Sequence, residues 1–430
     1  MGEPASATSV ADVALQRLVE EHPRDFGGLY LDLPSGTAHV NVVGEATSAP
    51  VERAREIEQV TTRSLGRSAG GLDVRVHEVK HSLADLQAVA SRIKVAQPWA
   101  EVTEGLLTSW AVDPITNSVR VGLTTITPEV RAAARGAFGD TVTLFAEERL
   151  QAMTKVTPLP EGARVPVDVS RDAKAVTPAE RSRLPGPPLI DFAPYVGGDR
   201  MWRLVRQETA VMQCTAGFMW HNGGTVYSMS SAGHCGRVNY PWTQGYFDQA
   251  ANTLYETGPM GTPYVSAHVG NGGVDAMLMD NGEWIPYIWE NTFGGSHNLT
   301  PVTYLHNAIV GQRVCFNGSF TMTKCSGTVR NSDACYEILD TNPDTGQSYT
   351  VISCNLVRVE SPERIVQWGD SGGPVFYGDP RDGGVGATGI ISAGNSAGTV
   401  GFYANRNGIR SHFAGDFARA NQVGAPSKTG

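Results

Sequence analysis

Hydrophobic and polar positions predict two similar β-hairpins in the first third of the chain. Residues 28–43 and 109–123 each alternate apolar and polar side chains around a turn residue, Gly36 in the first and Asn117 in the second. Alternation with period two is typical of strands, and residues that tolerate positive φ favour a tight turn between them. We therefore predict that each segment folds back on itself.

Each predicted hairpin is followed by a helix and then by another strand. Apolar residues recur at helical spacing over 51–66 and 127–138, and the segments "DVRVHEV" and "TVTLFAE" return to the strand period. A further amphipathic helix is predicted over 81–93. Because the order of hairpin, helix and strand occurs twice, residues 1–150 are predicted to contain a duplicated small α/β unit. No cluster of catalytic side chains is evident within it.

A proline-rich stretch separates this part from a different kind of sequence. Residues 151–195 contain "KVTPLPEGARVPVDV" and "RLPGPP", and so much proline disfavours both helices and central strands. We interpret the stretch as a linker with a processing site. Residues 196–425 contain short runs rich in Gly, Thr, Val and aromatic residues between turn signals, which is typical of antiparallel β-barrels and sandwiches.

Composition limits the possible partners. The chain has 430 residues, a net charge of −9 and no block of basic residues, so neither nucleic acid nor an anionic membrane is an expected partner. No apolar run approaches the length of about 18 residues that a membrane-spanning helix needs.

The cysteines indicate an oxidising compartment. All six lie at or after Cys214, and an even number confined to one half of the chain favours disulfides in a secreted protein. Zinc binding is the alternative, but no C-x-x-C pair supports it. The residues after Met1 lack the charged and apolar regions of a signal peptide, so we expect an export signal that is not part of this sequence.

One short motif points to nucleophilic catalysis. Ser371 lies within "WGDSGGPV", between Asp370 and two glycines that let the backbone approach a substrate closely. A serine hydroxyl needs a base, an acid that orients the base, and donors aimed at the developing oxyanion. If Ser371 is a nucleophile, the rest of the chain must supply these groups.

His234 and Asp275 are the candidates for the base and the acid. His234 lies in "SMSSAGHCG", where a disulfide between Cys214 and Cys235 would close a hairpin and hold the histidine backbone. Asp275 lies between a glycine turn and an apolar run in "GNGGVDAMLM", where a carboxylate needs a polar partner. Other histidines are interpreted as surface or satisfied core residues: His221, His268, His297 and His306.

These motifs resemble those of a known family. "GDSGGPV", "SAGHC" and "VDAML" look like the three motifs of chymotrypsin-fold serine proteases, and the bacterial subgroup of streptogrisins and α-lytic protease is the most similar. The segments "SWAVDPITNSVRV" and "VHEVKHSLADLQAVASRI" resemble the pro-regions of that subgroup. The resemblance implies an α+β pro-region followed by a protease domain of two antiparallel six-stranded β-barrels. It also implies that the pro-region assists folding and then inhibits the enzyme.

The resemblance assigns roles residue by residue. His234 is implied as general base, Asp275 as its orienting acid and Ser371 as nucleophile. The backbone N–H groups of Gly369 and Ser371 are implied as the oxyanion hole, and Ser392 is also expected to support Asp275. "IISAGN" is similar to the strand that pairs with substrate, which implies a binding role for Ser392, Ala393 and Gly394.

Two disulfides are expected beyond the one next to His234. The resemblance implies Cys315–Cys325, because "VCFNGSFTMTKCSG" is similar to a disulfide hairpin of the subgroup. The subgroup usually has a further cysteine shortly before the serine motif, and this chain has none there. Cys335 and Cys354 flank a predicted hairpin, and we expect them to form the third bridge.

Asp370 also departs from the pattern. In the subgroup an arginine that follows the first cysteine of the hairpin pairs with this aspartate, but Phe316 occupies that position here. A buried Asp370 without a partner would cost several kcal/mol. We expect Arg313, two residues before Cys315, to supply the partner.

The prediction is a secreted, monomeric serine endopeptidase made as a proprotein. Polypeptides are the expected substrates, with cleavage after apolar or aromatic residues, because Ile365, Val366 and Trp368 precede the serine motif. Neither a cofactor nor a metal is required, and no EF-hand-like loop is present. The alternative is a non-catalytic binding protein on the same scaffold. An esterase of the α/β-hydrolase class is excluded by the motif and by the order of the three residues.

Overall fold

The structure is a computed structural model that describes residues 10–44, 48–64, 73–100, 107–168, 189–224, 227–268, 272–291, 297–378 and 383–422. Helices of the described residues are α1 (Val10–Glu21), α2 (Ala49–Ser64), α3 (Leu83–Ile93), α4 (Pro128–Phe138) and α5 (Arg406–His412). None of them is long and apolar enough to cross a membrane. The strands of the first 168 residues are β1 (Phe26–Asp32), β2 (Thr37–Val43), β3 (Asp73–Val79), β4 (Leu107–Asp113), β5 (Ser118–Leu123), β6 (Val142–Ala146), β7 (Gln151–Ala152), β8 (Lys155–Pro158) and β9 (Arg164–Asp168).

The remainder of the described chain is mostly β-structure. Its first strands are β10 (Tyr195–Gly197), β11 (Arg200–Val205), β12 (Ala210–Thr215), β13 (Met219–His221), β14 (Tyr227–Ser231), β15 (Trp242–Asp248), β16 (Thr253–Ser266) and β17 (Met277–Asp280). The later strands are β18 (Trp284–Asn291), β19 (His297–Leu305), β20 (Arg313–Gly318), β21 (Met322–Thr341), β22 (Ser348–Glu360), β23 (Pro374–Tyr377), β24 (Val385–Gly394), β25 (Val400–Asn405) and β26 (Asp416–Phe417).

The N-terminal part contains two units of the same topology. In the first, β1 and β2 form an antiparallel hairpin, α2 follows, and β3 returns parallel to β2. In the second, β4, β5, α4 and β6 repeat this arrangement. Local sequence sets the helix starts, because Ser82 and Thr127 each accept a hydrogen bond from a backbone N–H of the first turn of α3 and α4.

Six strands of the C-terminal part close into a barrel. The pairings run from β20 through β21, β22, β25, β24 and β23 and return to β20. Its interior is filled by apolar side chains that include Val314, Phe316, Val329, Val359, Val375, Ile391 and Tyr403. The barrel is thus a packed core, and functional groups are confined to its rim.

The other half of the β-structure is an open run of strands. Its order is β12, β11, β15, β16, β17, β14 and β13, and no pairing between the described strands closes this run. The sequence predicts two closed six-stranded barrels, and the described pairings form one. Cores of the two halves meet at the segments that carry the candidate catalytic side chains.

The proline-rich stretch does not behave as a free linker over residues 151–168. β7 lies between β21 and β24, β8 pairs antiparallel with β12, and β9 pairs parallel with β16. Proline is compatible with this arrangement because β8 pairs on one side and ends at Pro158. Residues 169–188 of the predicted linker lie outside the described residues.

The N-terminal part also contacts the protease-like part directly. β4 adds to the edge of β21 with Ala111 opposite Ala334, which extends the barrel sheet into the second unit. The first unit is held by a hydrogen bond from the Leu31 N–H to the Val310 carbonyl at 2.7 Å. Ile309 is buried in the core of that first unit.

Candidate active site

Three candidate side chains converge between the two β-regions. His234 lies in a 3₁₀ turn, Gly233–Cys235, that follows β14, and the Cys214–Cys235 disulfide ties this turn to β12. Asp275 lies two residues before β17, and Ser371 lies three residues before β23. All three residues are buried.

A chain of hydrogen bonds joins the three residues. His234 Nδ1 lies 2.6 Å from Asp275 Oδ2, and His234 Nε2 lies 2.7 Å from Ser371 Oγ. The His234 backbone N–H also donates to Asp275 Oδ1 at 2.9 Å. With the Nδ1 proton directed to the carboxylate, Nε2 is free to accept the serine proton, which is the arrangement that a general base requires.

Further hydroxyl groups satisfy the buried carboxylate. Asp275 Oδ2 accepts hydrogen bonds from Ser392 Oγ and from the Tyr336 hydroxyl, which lies 3.3 Å away and also lies 2.7 Å from Ser392 Oγ. Burial alone would raise the pKa of Asp275, but the charges of His234 and His268 and these hydrogen bonds hold it well below its usual range. Asp275 is therefore an anion throughout the range in which proteins usually work.

The same anion acts on His234. Burial by itself would lower the pKa of this imidazole, but the charge and the hydrogen bond of Asp275 outweigh it and the pKa is raised. The pair can thus take up the proton that Ser371 would release.

The predicted oxyanion hole is occupied by the chain itself. The backbone N–H groups of Gly369 and Ser371 both point to the carbonyl oxygen of Met153, at 2.5 and 3.4 Å. Gly369 adopts φ +100°, and a Cβ there would lie 2.2 Å from the Phe320 ring, so glycine is required at this position. A carbonyl held by two convergent N–H groups is polarised for nucleophilic attack.

The residues before Met153 lie along the predicted binding strand. Ala152 pairs with Ala393 and Gln151 with Gly394 in antiparallel register, and the Met153 N–H donates to the Ser392 carbonyl at 3.4 Å. The segment therefore enters the cleft as an added strand, in the manner of an extended peptide that binds to a sheet edge.

Apolar side chains surround Met153. Its side chain is buried in the barrel core cluster that also contains Ile365, Val366 and Ile391. A Cβ placed on Gly394 would lie 2.7 Å from Val366 Cγ1 and 3.5 Å from Met153 Cε. Glycine at 394 thus leaves room for the end of a long, unbranched apolar side chain.

The residues after Met153 continue along the other side of the site. Thr154 Oγ1 lies 3.7 Å from Cys214 Sγ of the disulfide, and β8 then pairs with β12 from Lys155 opposite Gln213. The Lys155 ammonium lies 4.6 Å from the centre of the Phe320 ring. The chain is therefore held in the cleft by contacts on both sides of the Met153–Thr154 bond.

The expectation for Asp370 is wrong. Arg313 is exposed at the start of β20, whereas Asp370 is fully buried, and Arg313 is not among the described hydrogen-bond partners of Asp370. The carboxylate instead accepts hydrogen bonds from the N–H groups of Phe320 and Thr321 at 2.9 and 3.0 Å, from the Gln367 N–H at 2.8 Å, and from the Thr321 hydroxyl. Backbone donors of a turn can thus replace a cation, and spacing along a strand could not reveal them.

Sequence reasoning missed several groups at the site. Tyr336 gave no signal, because it lies in a predicted hairpin far from the motifs. His268 was interpreted as structural, although it precedes Asp275 by only seven positions, and its Nδ1 lies 3.2 Å from Asp275 Oδ1. The described residues contain no group of three or more His, Cys, Asp or Glu side chains arranged to hold a metal ion.

Solved structures with low overall similarity include three bacterial serine proteases. A glutamic-acid-specific serine protease is 20% identical and covers 52% of this chain and 100% of its own, with a TM-score of 0.37. The Nocardiopsis protease is 22% identical, with coverages of 52% and 97% and a TM-score of 0.37. The Cellulomonas bogoriensis chymotrypsin is 24% identical, with coverages of 52% and 98% and a TM-score of 0.34.

The sequence comparisons extend over both parts of the chain. The family model of the α-lytic protease prodomain matches residues 81–140, which contain α3, β4, β5 and α4. Streptogrisin-D of Streptomyces griseus is 26% identical over 397 residues, which cover 90% of this chain and 75% of that protein. The chain is therefore similar to serine endopeptidases of the bacterial streptogrisin type over most of its length, and its N-terminal part is similar to an α-lytic protease prodomain over residues 81–140.

Proposed function

We propose that Ser371, His234 and Asp275 form the catalytic triad of this protease and that its first substrate is its own Met153–Thr154 bond. The observation that carries the proposal is the Met153 carbonyl oxygen between the N–H groups of Gly369 and Ser371. The pro-region then ends at Met153, within the stretch 151–195 that the sequence predicts to contain the processing site.

The proposed reaction follows from the geometry. His234 Nε2 takes the proton of Ser371 Oγ as the oxygen attacks the Met153 carbonyl carbon, and the two N–H groups stabilise the oxyanion. The proton then passes from His234 to the Thr154 nitrogen, the peptide bond breaks, and an ester between Met153 and Ser371 remains. Water, activated by His234, releases Met153 as a carboxylate.

The bound segment supports a preference for apolar residues before the cleaved bond. The Met153 side chain is buried next to Val366 and Gly394, within a cluster of apolar side chains. Leu150 is also fully buried, three residues before Met153. We expect substrates with methionine or leucine before the cleaved bond and an apolar residue three positions further upstream to be favoured.

The pro-region is proposed to inhibit the enzyme before and after this cleavage. Before it, β7 and β8 occupy the cleft on both sides of the bond. After it, β7 stays between β21 and β24, and its new carboxylate lies where a product binds. The β4–β21 pairing is a candidate for the folding role, because a template for non-local strands lowers the entropic cost of forming a barrel.

An extracellular location agrees with the chemistry. The structure contains three disulfides, Cys214–Cys235, Cys315–Cys325 and Cys335–Cys354, and such bonds persist in oxidising compartments. We propose that the protease acts outside the cell.

The test compares the full chain with Ser371→Ala by intact mass and N-terminal sequencing over time. The parent chain is expected to yield a fragment that begins at Thr154, and the variant is expected to stay whole. Ser371→Cys serves as a second variant, since a thiol keeps the shape of the site.

The outcomes separate the protease from the binding protein. Cleavage at another bond of the parent chain would reject Met153–Thr154 and keep the triad. If both chains stay whole, a serine-directed phosphonate is added. A folded, disulfide-bonded parent chain without label at Ser371 would contradict the triad and favour a non-catalytic scaffold.

A further inference from the structure

The segment that fills the cleft carries two adjacent glutamates upstream of the proposed cleaved bond. Glu148 and Glu147 precede Met153 by five and six positions. Each carboxylate is bound by a residue of the C-terminal part of the chain, and neither of these residues belongs to the proposed triad or to the pocket around Met153. The contacts of the segment therefore extend beyond the pairing of Gln151 and Ala152 with β24.

The first of these contacts is a buried ion pair. Glu147 meets Nη1 of Arg358, which lies on β22, and the two side chains are 5% and 6% exposed. Arg358 Nε also donates to Glu360 at 3.0 Å, and the guanidinium carbon lies 5.5 Å from the centre of the Phe402 ring. Glu360 and Phe402 belong to the C-terminal part, so Arg358 keeps both contacts when the pro-region leaves.

Pro-region residues cover the rest of this arginine. The Phe145 ring centre lies 5.1 Å from the guanidinium carbon of Arg358, and the hydroxyls of Thr108 and Ser109 donate to Glu147 at 2.7 and 2.5 Å. Dissociation of the pro-region would remove these groups together with the carboxylate. A guanidinium that has lost one carboxylate can bind another, because its planar set of donors matches that group.

The second contact is made by the turn that joins β24 to β25. The Ser396 N–H donates to Glu148 Oε1 at 3.2 Å, and the Ser396 hydroxyl donates to Glu148 Oε2 at 2.9 Å. Asn395 fixes the shape of the turn, since its side chain accepts from the Val400 N–H and its carbonyl accepts from the Gly398 N–H, both at 3.0 Å. The fold itself thus presents two donors to one carboxylate.

The charges around this turn favour an anion. A Cβ on Gly398 would lie 2.8 Å from Arg364 Cγ, so the exposed side chain of Arg364 runs along the turn. On the other side of the segment lies Glu337 of β21, but its charge acts on Arg149, which opposes the rise that burial causes in the pKa of Glu337. Because β24 leads from residues 392–394 directly into the turn, a peptide paired with this strand passes the same groups.

We propose that Arg358 and Ser396 form a subsite for acidic side chains, through which the protease selects substrates with acidic residues five and six positions before the residue at the cleaved bond. The inference rests on the proposed cleavage after Met153 and adds a substrate class to it. In the full chain Glu147 and Glu148 occupy the subsite. After the pro-region leaves, an acidic pair of a substrate takes their place.

A short peptide separates this role from a purely structural one. If the two contacts served only to hold the pro-region, a peptide without Phe145, Thr108 and Ser109 would gain nothing from its glutamates. If the C-terminal part provides the subsite, the same peptide keeps most of the gain.

The experiment measures kcat/KM of the self-processed protein, separated from its pro-region by size-exclusion chromatography, on nitroanilides with the sequence of residues 147–153. One peptide keeps both glutamates, two carry glutamine at one position, and one carries glutamine at both. We expect a loss of about tenfold for the position that meets Arg358 and of about threefold for the position that meets Ser396, with smaller losses at high salt.

The outcomes distinguish the subsite from the triad. Equal kcat/KM for the four peptides would overturn the subsite and leave the triad intact. If none of the peptides is hydrolysed, the triad is rejected, and the inference that rests on it is rejected as well.

Variants assign the preference to its two residues. Arg358→Gln should abolish the preference at the first position, and Ser396→Ala should reduce it only at the second. Arg313→Gln is the matched control, because Arg313 is an exposed arginine at the start of β20. An undiminished preference in Arg358→Gln would contradict the proposal, and if that variant does not fold, the peptide series on the parent protein decides.

Discussion

At the scale of single residues, Asp275 shows how a buried carboxylate is kept charged. Hydrogen bonds reach it from the backbone and the ring of His234, from Ser392 and from Tyr336. These donors come from three segments that are distant in sequence, so the sequence could indicate Asp275 from its setting but could not supply its partners. Ser392, expected as a support of Asp275, lies in contact with it.

The raised pKa of His234 predicts the pH dependence of activity. The base must be neutral, so activity is lost as the pH falls through the raised value. We expect the acid limb of kcat/KM to lie above about 6.5, the ordinary value for histidine. The measurement is nitroanilide hydrolysis by the self-processed protein, and a limb below the ordinary value would contradict the geometry.

Removing the anion gives the complementary test. Asp275→Asn should lower kcat by about four orders of magnitude, the size seen when a triad loses its carboxylate. Tyr336→Phe removes one hydroxyl donor and should lower kcat by only about tenfold, in line with about 1.5 kcal/mol for a hydrogen bond. Equal losses in the two variants would show that the hydroxyl does more than support the carboxylate.

Gly394 is expected to determine which side chain the protease accepts immediately before the cleaved bond. Gly394→Val should fill the space next to Val366 and the end of the Met153 side chain, so self-cleavage after Met153 slows. Nitroanilides with methionine should lose at least about tenfold in kcat/KM relative to those with alanine, since a buried methylene or two is worth about 1–3 kcal/mol. Gly224→Ala, at an exposed position after β13 where an added Cβ would meet only the Asn222 side chain at 3.5 Å, is the control, and an unchanged ratio in Gly394→Val would place the pocket elsewhere.

At the scale of elements, the β21–β22 hairpin connects the pro-region to the catalytic machinery. β4 and β7 pair with β21, Tyr336 reaches Asp275 from it, and the Cys335–Cys354 bridge packs against the core of the second N-terminal unit. A single hairpin thus contacts both the N-terminal part of the chain and the proposed catalytic residues.

The ion pair of Glu147 and Arg358 predicts how firmly the pro-region is held. Both side chains are nearly buried, and Glu147 also accepts hydrogen bonds from Thr108 and Ser109. Glu147→Ala would leave Arg358 without this partner, at a cost of about 3 kcal/mol. The cleaved pro-region should then dissociate about a hundredfold more readily, as measured by size-exclusion chromatography after self-cleavage.

Glu129→Ala on the exposed start of α4 is the matched control for that variant. It removes the same charge from the pro-region without breaking a buried ion pair. Equal retention of the pro-region in the two variants would show that the Arg358 pair contributes little.

The elements also show what sequence could and could not predict. The cysteine pairs in the structure are the three that the sequence analysis names. The family resemblance implied Cys315–Cys325, and the predicted hairpins next to the other four cysteines suggested Cys214–Cys235 and Cys335–Cys354. β7, β8 and β9 were not predicted, since these strands form only against the cleft and the outer edges of a folded protease. Arg313 was assigned by its position on a strand, but the turn around Phe320 and Thr321 supplies the donors for Asp370.

At the scale of the whole molecule, the strands after the proposed cleavage point form an arm on the protease. β8 pairs with β12 and β9 with β16, and Leu159 and Ala163 between them pack against the outer core of the first β-region. Cleavage after Met153 separates the pro-region from the rest of the chain. The arm stays on the protease, because both of its strands remain paired with β12 and β16.

The arm predicts a partly active product. Thr154 and Lys155 would still cover the part of the cleft that binds the leaving group. Nitroanilides should nevertheless be hydrolysed, because their leaving group is small. Peptides that extend four residues beyond the cleaved bond should be poor substrates until a second cut removes the arm. The ratio of the two activities before and after N-terminal trimming measures this, and equal activity on both at the outset would contradict it.

Continuity of the chain through the cleft also determines the kinetic order of the first cut. Met153 and Thr154 belong to the molecule that would cleave them, so the substrate is present at an effective concentration that dilution cannot lower. The half-time of the cut should therefore be the same in dilute and concentrated samples. Every molecule would make this cut once. Only the later cleavage of other proteins would proceed at a rate that depends on their concentration.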